Sequence, residues 1–384
     1  MAFGGPPASA ESGFGVALSV KPGAATVRLE ADFEGHGWTE FARLEVATAW
    51  AAYGAHRLRL GRFWIGAALG RPGALIGLTP AEREWVLARI EQNGGHPLTL
   101  SPHHPPRPLD PERFPPPRRA SRRRPKFTLV TPSFQHGAFL AATLESVLGQ
   151  TGVTVDYIVQ DGGSTDQTAE VLRRYAGRLK HCVSAADHGQ ADAICRGFAR
   201  MEAGPDDVMA YLNSDDRLMP GALRFVADYF ARHPAVDVVY GHRVLIDESD
   251  QEVGRWFAPR RRCDNLHLQD LIPQETLFWR KRVWDRVGGI DPSFQFALDW
   301  DLLLRFEAAG ARIVRLPWFL GLFRLHPQQK SQAHLEQVGI PEMDRLRVRT
   351  LGRPPTPAEL GASMQRAQID STLLRTGRQH GWRL

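Results

Sequence analysis

Residues 155–166 read VDYIVQDGGSTD, an apolar stretch that runs into a polar turn with two glycines. Its first five residues have the length and composition of a buried β-strand. The glycines allow a sharp turn, and Ser164, Thr165 or Asp166 can be the N-cap of a following helix. A buried strand that passes through a short turn into a helix is typical of a parallel α/β sheet.

The same strand–turn–helix unit recurs on both sides of this stretch. We predict strands over Phe127–Thr131, Val155–Val159, His181–Val183, Val208–Leu212 and Val236–Tyr240. We predict helices over Phe139–Leu148, Asp166–Tyr175, Gln190–Met201 and Gly221–Ala231. This alternation predicts an α/β fold with a doubly wound, mostly parallel sheet, in which ligands bind beyond the carboxyl ends of the strands.

Polar side chains follow three of these strands. Asp161 can accept hydrogen bonds from a ribose or a base, or it can organise a turn that only caps the next helix. Asp187 has the same two interpretations. Asn213-Ser214-Asp215-Asp216 is more informative, because two adjacent acids after a buried strand are costly unless they are solvated or paired with a cation. Such oxygen ligands suit Mg²⁺ or Mn²⁺ bridging a diphosphate.

Two further motifs lie nearer the C-terminus. Asp299 and Asp301 stand two positions apart, so one can face a reaction centre as a general base while the other pairs with Arg305. Arg324-Leu-His326 follows a predicted strand over Ala311–Leu316, and it offers a cation and an imidazole to a phosphate or a metal.

Taken in order, these motifs resemble the inverting nucleotide-sugar glycosyltransferases of family 2, which have the Rossmann-like GT-A fold. The matching segments are Val130-Thr-Pro-Ser-Phe134, Val159-Gln-Asp-Gly-Gly-Ser-Thr-Asp166, Asp187-His-Gly-Gln-Ala-Asp-Ala193, Leu212-Asn-Ser-Asp-Asp216, Val287-Gly-Gly-Ile-Asp291, Leu298-Asp-Trp-Asp-Leu302 with Arg305, and Arg324-Leu-His326. The resemblance covers residues 127–332. Asn213 and Gly162 stand where the family often has aspartate, which we interpret as marks of a subfamily.

The resemblance implies a role for each matching residue. Asp299 is the expected catalytic base, and Asp215 and His326 are the expected ligands of Mn²⁺ or Mg²⁺. The expected nucleotide-sugar contacts are Thr131, Pro132, Ser133, Asp161, Asp187, Gln190, Asn213 and Asp215. Beside the resemblance, we place Gln274, Glu275 and Trp300 at the acceptor, although aromatic residues at such spacing more often belong to the core.

The implied activity is metal-dependent, inverting transfer of a sugar from a nucleoside-diphosphate sugar to a hydroxyl group. We expect UDP-sugar as the donor, and a glycan or lipid-linked acceptor of polysaccharide or surface-glycan biosynthesis. The alternative is a catalytically silent sugar-binding or membrane-docking protein on a transferase scaffold. The presence of Asp215 and Asp299 argues against that alternative.

Charge and composition suggest the domain organisation of the 384-residue chain, whose net charge is +6. Residues 105–126 hold eight prolines, eight basic residues and two acidic residues, so their net charge equals that of the whole chain. We therefore predict a small β-rich accessory module over 1–104, in which Val27–Phe33 alternates and a helix follows Thr79. A linker over 105–126, a GT-A domain over 127–335 and a C-terminal helical extension over 336–384 complete the prediction.

The remaining features set expectations about partners and location. The basic residues of Arg118–Lys126 lie in a proline-rich segment without stacking aromatics, so we expect no nucleic-acid partner. They suit peripheral contact with anionic lipid at the inner membrane face. Three widely spaced cysteines favour reduced thiols, and the N-terminus lacks the pattern of a signal peptide. We expect a cytoplasmic protein.

Overall fold

The computed structural model describes residues 14–19, 26–33, 38–45, 98–111, 114, 124–259 and 266–379. The chain divides into two compact units, one containing residues 1–95 and 372–384 and the other containing His96–Ser371. In the first unit, β1 (Phe14–Ser19), β2 (Thr26–Phe33) and β3 (Trp38–Glu45) form an antiparallel sheet in the order β1-β2-β3. The predicted helix after Thr79 lies outside the described residues.

The second unit alternates strands and helices from Phe127 onward. Its strands are β4 (Phe127–Ser133), β5 (Val155–Asp161), β6 (His181–Ser184), β7 (Val208–Tyr211), β8 (Arg217–Leu218), β9 (Val238–Ile246), β10 (Glu252–Trp256), β11 (Phe278–Arg280) and β12 (Ile313–Arg324). Its helices are α1 (Gly137–Leu148), α2 (Thr168–Tyr175), α3 (Gln190–Phe198), α4 (Ala222–Arg232), α5 (Lys281–Val287), α6 (Leu298–Ala308), α7 (Lys330–Ala333) and α8 (Ile340–Leu351). The last helix, α9 (Pro357–Gln379), begins in this unit, and its residues from Thr372 onward are assigned to the first unit. The nine elements predicted between Phe127 and Tyr240 are all present, with shifted ends.

The strands form one mixed sheet in the order β6-β5-β4-β7-β11-β9-β12-β8, and β10 pairs with β9. In its first half, β6, β5, β4 and β7 are parallel, as the sequence predicts. Every residue of β4 is buried, which is expected for a strand covered on both faces. The α/β class is therefore confirmed.

The second half of the sheet adds antiparallel pairs. β11 runs antiparallel to both β7 and β9, and β8 runs antiparallel to β12. β12 is parallel to β9 along most of its length and pairs Gly321 with Leu218. These pairings bring the residues that follow β12 beside the acidic turn that precedes β8.

The N-terminal part of the predicted linker contacts the α/β unit. The backbone of Arg107 exchanges two hydrogen bonds with Glu252 on β10, and Leu98 packs in a small cluster with Trp256, Leu271 and Ala367. At the other end, Arg124 pairs with Asp228, and Lys126 pairs with Asp156. Residues 118–123, which carry most of the predicted lipid contact, lie outside the described residues. The domain boundaries remain predictions.

The C-terminal helices follow the sequence closely. Thr356 and Glu359 form the capping box that opens α9, since the amide of Thr356 donates to Glu359 and the amide of Glu359 donates to the Thr356 hydroxyl. Among the described residues, no helix is both long and apolar enough to span a membrane.

Candidate functional site

The carboxyl ends of the parallel strands are level with one another. Ser133 at the end of β4 pairs with Asp161 at the end of β5, which pairs with Ser184 at the end of β6. Val130 pairs with Tyr211, so the residues after β7 leave the sheet at the same edge. The sequence-predicted turns therefore meet along one edge, where open α/β sheets bind their ligands.

Asp161 organises the glycine turn. Its buried carboxylate accepts hydrogen bonds from the amides of Gly163 and Ser164 and from the hydroxyls of Ser164 and Ser184, the last two at 2.5 and 2.6 Å. Asp187 lies directly over the same turn, because a Cβ on Gly162 would stand 3.0 Å from its carboxylate oxygen. A larger residue at position 162 would therefore require the Asp187 side chain to shift by a few tenths of an ångström.

The first strand contributes a buried floor and one exposed ring. Thr131 shares a 2.8 Å hydrogen bond with the hydroxyl of Tyr157, and Ser133 is buried beside Pro132. Phe134, the next residue, is 60% exposed. An exposed aromatic ring beside a glycine turn is suited to stacking on a flat base. Phe134 belongs to one of the matching segments, but its exposure becomes evident only in the fold.

A chain of polar side chains crosses the strand edge. Lys330 donates to Gln190 at 2.6 Å, and Gln190 donates to Asn213 at 2.7 Å. Asn213 donates to Gln274 at 3.3 Å, and Gln274 donates to the carbonyl of Tyr211. The predicted nucleotide contacts Gln190 and Asn213 are therefore joined to the predicted acceptor contact Gln274.

His136, Asp215 and His326 bring three potential metal-ligand atoms within 4.8 Å of one another. Nε2 of His326 lies 3.0 Å from a carboxylate oxygen of Asp215, and His136 bonds to the hydroxyl of Ser214. Two imidazoles and one carboxylate suit Mn²⁺ better than Mg²⁺, which prefers oxygen ligands. Of these residues, the sequence analysis had not selected His136, although it lies just after a strand, as the other predicted ligands do.

The pKa values of the two adjacent acids, Asp215 and Asp216, are shifted in opposite directions. Burial alone would raise the pKa of Asp215, but the hydrogen bond with His326 and the charges of both histidines hold that pKa below its usual range. Burial, reinforced by the charges of Asp215 and Glu275, raises the pKa of Asp216 well above its usual range. Asp215 therefore carries the negative charge that a cation would meet.

Arg324 fixes the shape of this acidic turn. It is buried, and it donates from its backbone amide to Asp216 and from its guanidinium to the Asp215 carbonyl. The same guanidinium bonds to the Asp247 carbonyl and the Asp250 carboxylate. Arg324 thus acts as a structural partner of the turn, while His326, two residues later, faces Asp215.

Asp299 and Asp301 point in different directions from the first turn of α6. Asp301 is fully buried and is held by Arg305 at 2.6 and 2.8 Å and by Arg349 at 2.6 Å. Asp299 is partly exposed, and its carboxylate accepts from the amide of Trp300. Asp301 is therefore the acid that pairs with Arg305, and the role of Asp299 as a base that faces a reaction centre stays a prediction.

The surroundings of Asp299 suit a base. Burial raises the pKa of Asp299, and the hydrogen bond from Trp300 and the charges of Arg243 and Lys330 offset part of that rise. Asp299 in turn raises the pKa of Asp270, which burial already raises. A carboxylate whose pKa is moved toward neutrality accepts a proton more effectively. Lys330 and Asp270 were not selected from the sequence, because their proximity to Asp299 arises only in the fold.

All three predicted acceptor contacts are buried, and only Gln274 belongs to the polar chain that crosses the strand edge. Both carboxylate oxygens of Glu275 bond to Arg243, at 2.7 and 2.8 Å. Trp300 is buried in the core, and its indole N–H donates to the Leu266 carbonyl at 2.6 Å. Direct contact of these side chains with an acceptor is therefore not supported, because their polar atoms already have partners within the protein.

Comparison with known sequences agrees with the motifs. Residues 128–286 match the family model described as Glycosyl transferase family 2. A PGL/p-HBAD biosynthesis glycosyltransferase of Mycobacterium bovis is 27% identical over 195 residues, covering 50% of this chain and 73% of that protein. The O-antigen biosynthesis protein RfbC of Myxococcus xanthus is 30% identical over 196 residues, covering 50% of this chain and 15% of that protein.

Two solved structures align with a large part of the chain. TarS of S. aureus, in complex with UDP-GlcNAc, aligns over 66% of this chain and 73% of its own at 15% identity and a TM-score of 0.49. The mannosyltransferase PcManGT from Pyrobaculum calidifontis, in complex with GDP-Man and Mn²⁺, aligns over 86% of this chain and 84% of its own at 14% identity and a TM-score of 0.49. The family match and the ordered motifs that it spans confirm the resemblance seen in the sequence: residues 128–286 match glycosyl transferase family 2, and the chain is a glycosyltransferase.

Proposed function

We propose that this chain is a metal-dependent, inverting glycosyltransferase that moves a sugar from a nucleoside-diphosphate sugar to a hydroxyl group of a glycan or lipid-linked acceptor. One observation carries the proposal. A group able to hold a cation (His136, Asp215 and His326) follows the strand ends, and Asp299, a partly exposed carboxylate with a raised pKa, interacts electrostatically with Lys330 of the polar chain at that edge. A cation can neutralise a departing diphosphate, and a base can deprotonate the acceptor hydroxyl.

The donor is proposed to bind along the parallel half of the edge. The glycine turn held by Asp161, together with Asp187 and the exposed ring of Phe134, would receive the nucleoside. Thr131, Pro132 and Ser133 would form the floor beneath it, and Gln190 and Asn213 would face the sugar and diphosphate. A UDP-sugar is the donor we propose. A cation bound by Asp215, His326 and His136 would neutralise the diphosphate, and the donor set favours Mn²⁺.

The transfer is proposed to occur in one step. Asp299 accepts the proton of the acceptor hydroxyl as its oxygen forms a bond to the anomeric carbon of the sugar. The bond between that carbon and the diphosphate oxygen breaks, and its electron pair leaves with the nucleoside diphosphate. Attack and departure take place on opposite faces, so the configuration at the anomeric carbon inverts.

The acceptor side is proposed to include Gln274, whose amide lies in the polar chain that reaches Gln190. Glu275 and Trp300 would instead support the wall behind it from the interior. Relatives of this chain are named for PGL/p-HBAD and O-antigen biosynthesis, which supports an acceptor that belongs to surface-glycan biosynthesis.

Substitution of Asp299 tests the proposal. Release of nucleoside diphosphate from a panel of UDP-, GDP- and TDP-sugars is measured with Mn²⁺, with and without extracts containing lipid-linked glycans. Asp299→Asn should lower turnover about 10²–10⁴-fold, the contribution of a general base, and should leave binding of UDP and Mn²⁺ unchanged. Normal turnover by Asp299→Asn would refute the base assignment, and failure of every donor to bind would refute the activity.

The same measurements test the metal ligands. Asp215→Ala and His136→Ala should each raise the Mn²⁺ concentration needed for half-maximal UDP binding at least about tenfold, since even indirect partners of a ligand change metal affinity about 10–100-fold. His233→Ala is the control, because that ring stacks on Tyr229 within α4. Unchanged Mn²⁺ dependence in both ligand variants would remove the metal from the proposal.

A further inference from the structure

α8 (Ile340–Leu351) lies outside the segment that matches the family model, yet it contacts the start of α6 directly. The carboxylate of Glu342 accepts hydrogen bonds from the amides of Gln295, Phe296 and Ala297, at 2.7, 2.8 and 2.9 Å. These amides belong to the residues immediately before α6, where backbone N–H groups have no partner within the helix. The N-cap residue of α6 is Ala297, which has no side-chain acceptor to cap the first turn of the helix.

A second contact from the same helix holds α6 on the other side of Asp299. Arg349 follows Glu342 by seven residues, which is two helical turns, so both side chains project from similar faces of α8. Arg349 pairs with the fully buried Asp301 at 2.6 Å. Between them, Arg347 donates to the Leu268 carbonyl and lies over the ring of Trp300.

The segment before α8 also approaches α6 closely. Gly339 faces the ring of Phe296, and a Cβ at this position would stand 2.9–3.0 Å from ring atoms. The absence of a side chain lets the chain pass over Phe296 and present Glu342 to the three amides. Contacts on both sides of position 299 therefore come from one helix.

Asp299 has few restraints of its own. Its carboxylate accepts from the amide of the adjacent Trp300, a bond that moves with α6. The direction of this side chain is consequently set by the position of α6, which α8 holds. A base must lie within hydrogen-bond reach of the proton that it removes, so small displacements of α6 would cost turnover rather than donor binding.

We propose that Glu342, supported by Arg349, is a positioning residue for the catalytic base, so that the C-terminal extension forms part of the active site. This inference rests on the proposed role of Asp299 as the base. It gives a role to α8, which lies outside both the family motifs and the residues that match the family model.

The test compares Glu342→Ala with Glu342→Gln, whose remaining oxygen can still accept amide hydrogens. Nucleoside diphosphate release is measured with the most active donor of the panel, and the Kd of UDP is measured with MnCl₂. We expect Glu342→Ala to lower kcat at least about tenfold with an unchanged Kd, and Glu342→Gln to recover most of the loss. Should Glu342→Ala fail to fold, Glu342→Asp, which shortens the reach by one methylene, replaces it.

Glu359→Ala is the matched control. Glu359 also caps a helix, but its partners are Thr356 and Arg353 at the start of α9. We expect Glu359→Ala to lower stability without changing kcat. A purely structural role for Glu342 would make the two variants behave alike, and that result would overturn the inference.

The double variant separates this inference from the proposed function. If Glu342 acts through Asp299, Glu342→Ala should cost nothing further in the Asp299→Asn background. Wild-type turnover by Glu342→Ala beside a deficient Asp299→Asn would refute the positioning role alone. Normal turnover by Asp299→Asn would instead refute the base on which the inference depends.

Discussion

At the scale of single residues, the site depends on which charges lie near Asp299. Lys330 is the cation that links Asp299 to the donor side, since its ammonium bonds to Gln190 and its charge lowers the pKa of Asp299. Burial lowers the pKa of Lys330 to about 8, although the charges of Asp299 and Glu342 act in the opposite direction. Lys330 thus changes charge within the pH range in which the enzyme can be assayed.

Lys330→Met should move the acid limb of the kcat/KM profile to higher pH. Removal of the positive charge raises the pKa of Asp299. Because the base must be deprotonated to act, the variant should need a higher pH to reach half of its maximal kcat/KM. The variant should also lose the second transition near pH 8 that titration of Lys330 gives the wild type. The measurement is kcat/KM for nucleoside diphosphate release between pH 5 and 9.

Lys330→Arg provides the control, because it keeps the positive charge. Its acid limb should stay at the wild-type pH while its transition near pH 8 disappears, since an arginine remains protonated. An acid limb that is identical in all three proteins would show that Lys330 does not act on Asp299.

At the scale of elements, the sheet edge is built by close packing of α3 against β4. A Cβ on Gly197 would stand 2.5 and 3.0 Å from the methyl carbons of Val130, in a strand that is entirely buried. α3 begins at Gln190, so this packing also fixes the distance between that amide and the strand ends. A glycine inside a helix is thus explained by what lies beneath it.

Gly197→Ala should therefore destabilise the protein, although alanine favours helix by up to about 1 kcal/mol. Overpacking of a buried strand costs about 1–3 kcal/mol, so we expect a lower free energy of unfolding. Gly361→Ala in α9 is the control, since a Cβ there meets nothing within 4 Å, and it should be neutral or stabilising. The midpoints of denaturant unfolding compare the two variants, and equal midpoints would contradict the packing argument.

The elements also explain what could be predicted from the sequence. The parallel half of the sheet could be predicted because each of its strands shows as a short apolar stretch in its own local sequence. β8 has two residues and β11 has three, too few for a periodic pattern. Glu342 and Gln295 are 47 residues apart, and nothing in either local sequence indicates that they meet. His136 and Asp270 were overlooked because single polar residues gain a role only from their neighbours in the fold.

At the scale of the whole molecule, the α/β unit extends upstream of the predicted domain start at residue 127. Glu252 is fully buried and is contacted by Arg107, His104 and Arg255, of which the first two belong to the segment before the predicted domain. Arg107 also pairs its backbone with Glu252. We propose that the boundary of this unit falls near His96.

Arg107→Met tests this boundary. Its side chain is 55% exposed, but its partner Glu252 is only 1% exposed. Because Glu252 is buried and charged, loss of its partner Arg107 should lower the free energy of unfolding by about 1–3 kcal/mol. Arg353→Met is the matched control, since Arg353 is also 55% exposed while its partner Glu359 is 38% exposed, and it should cost less than about 1 kcal/mol.

Tryptophan fluorescence during denaturant unfolding reports the core transition, because Trp279 and Trp300 are buried there. A lower midpoint for Arg107→Met than for Arg353→Met is expected. Equal unfolding midpoints for Arg107→Met and Arg353→Met would indicate that the segment around Arg107 does not belong to the α/β unit.

The polar chain from Lys330 to Tyr211 has one further property, which is its polarity. An ammonium group only donates hydrogen bonds, and a backbone carbonyl only accepts them. With Lys330 at one end and the Tyr211 carbonyl at the other, each of the three amides between them must present its oxygen toward Lys330 and its nitrogen toward Tyr211. No amide can rotate by 180° alone without setting two donors or two acceptors against each other. If the donor sugar contacts this polar chain as proposed, it meets one fixed order of hydrogen-bond donors and acceptors.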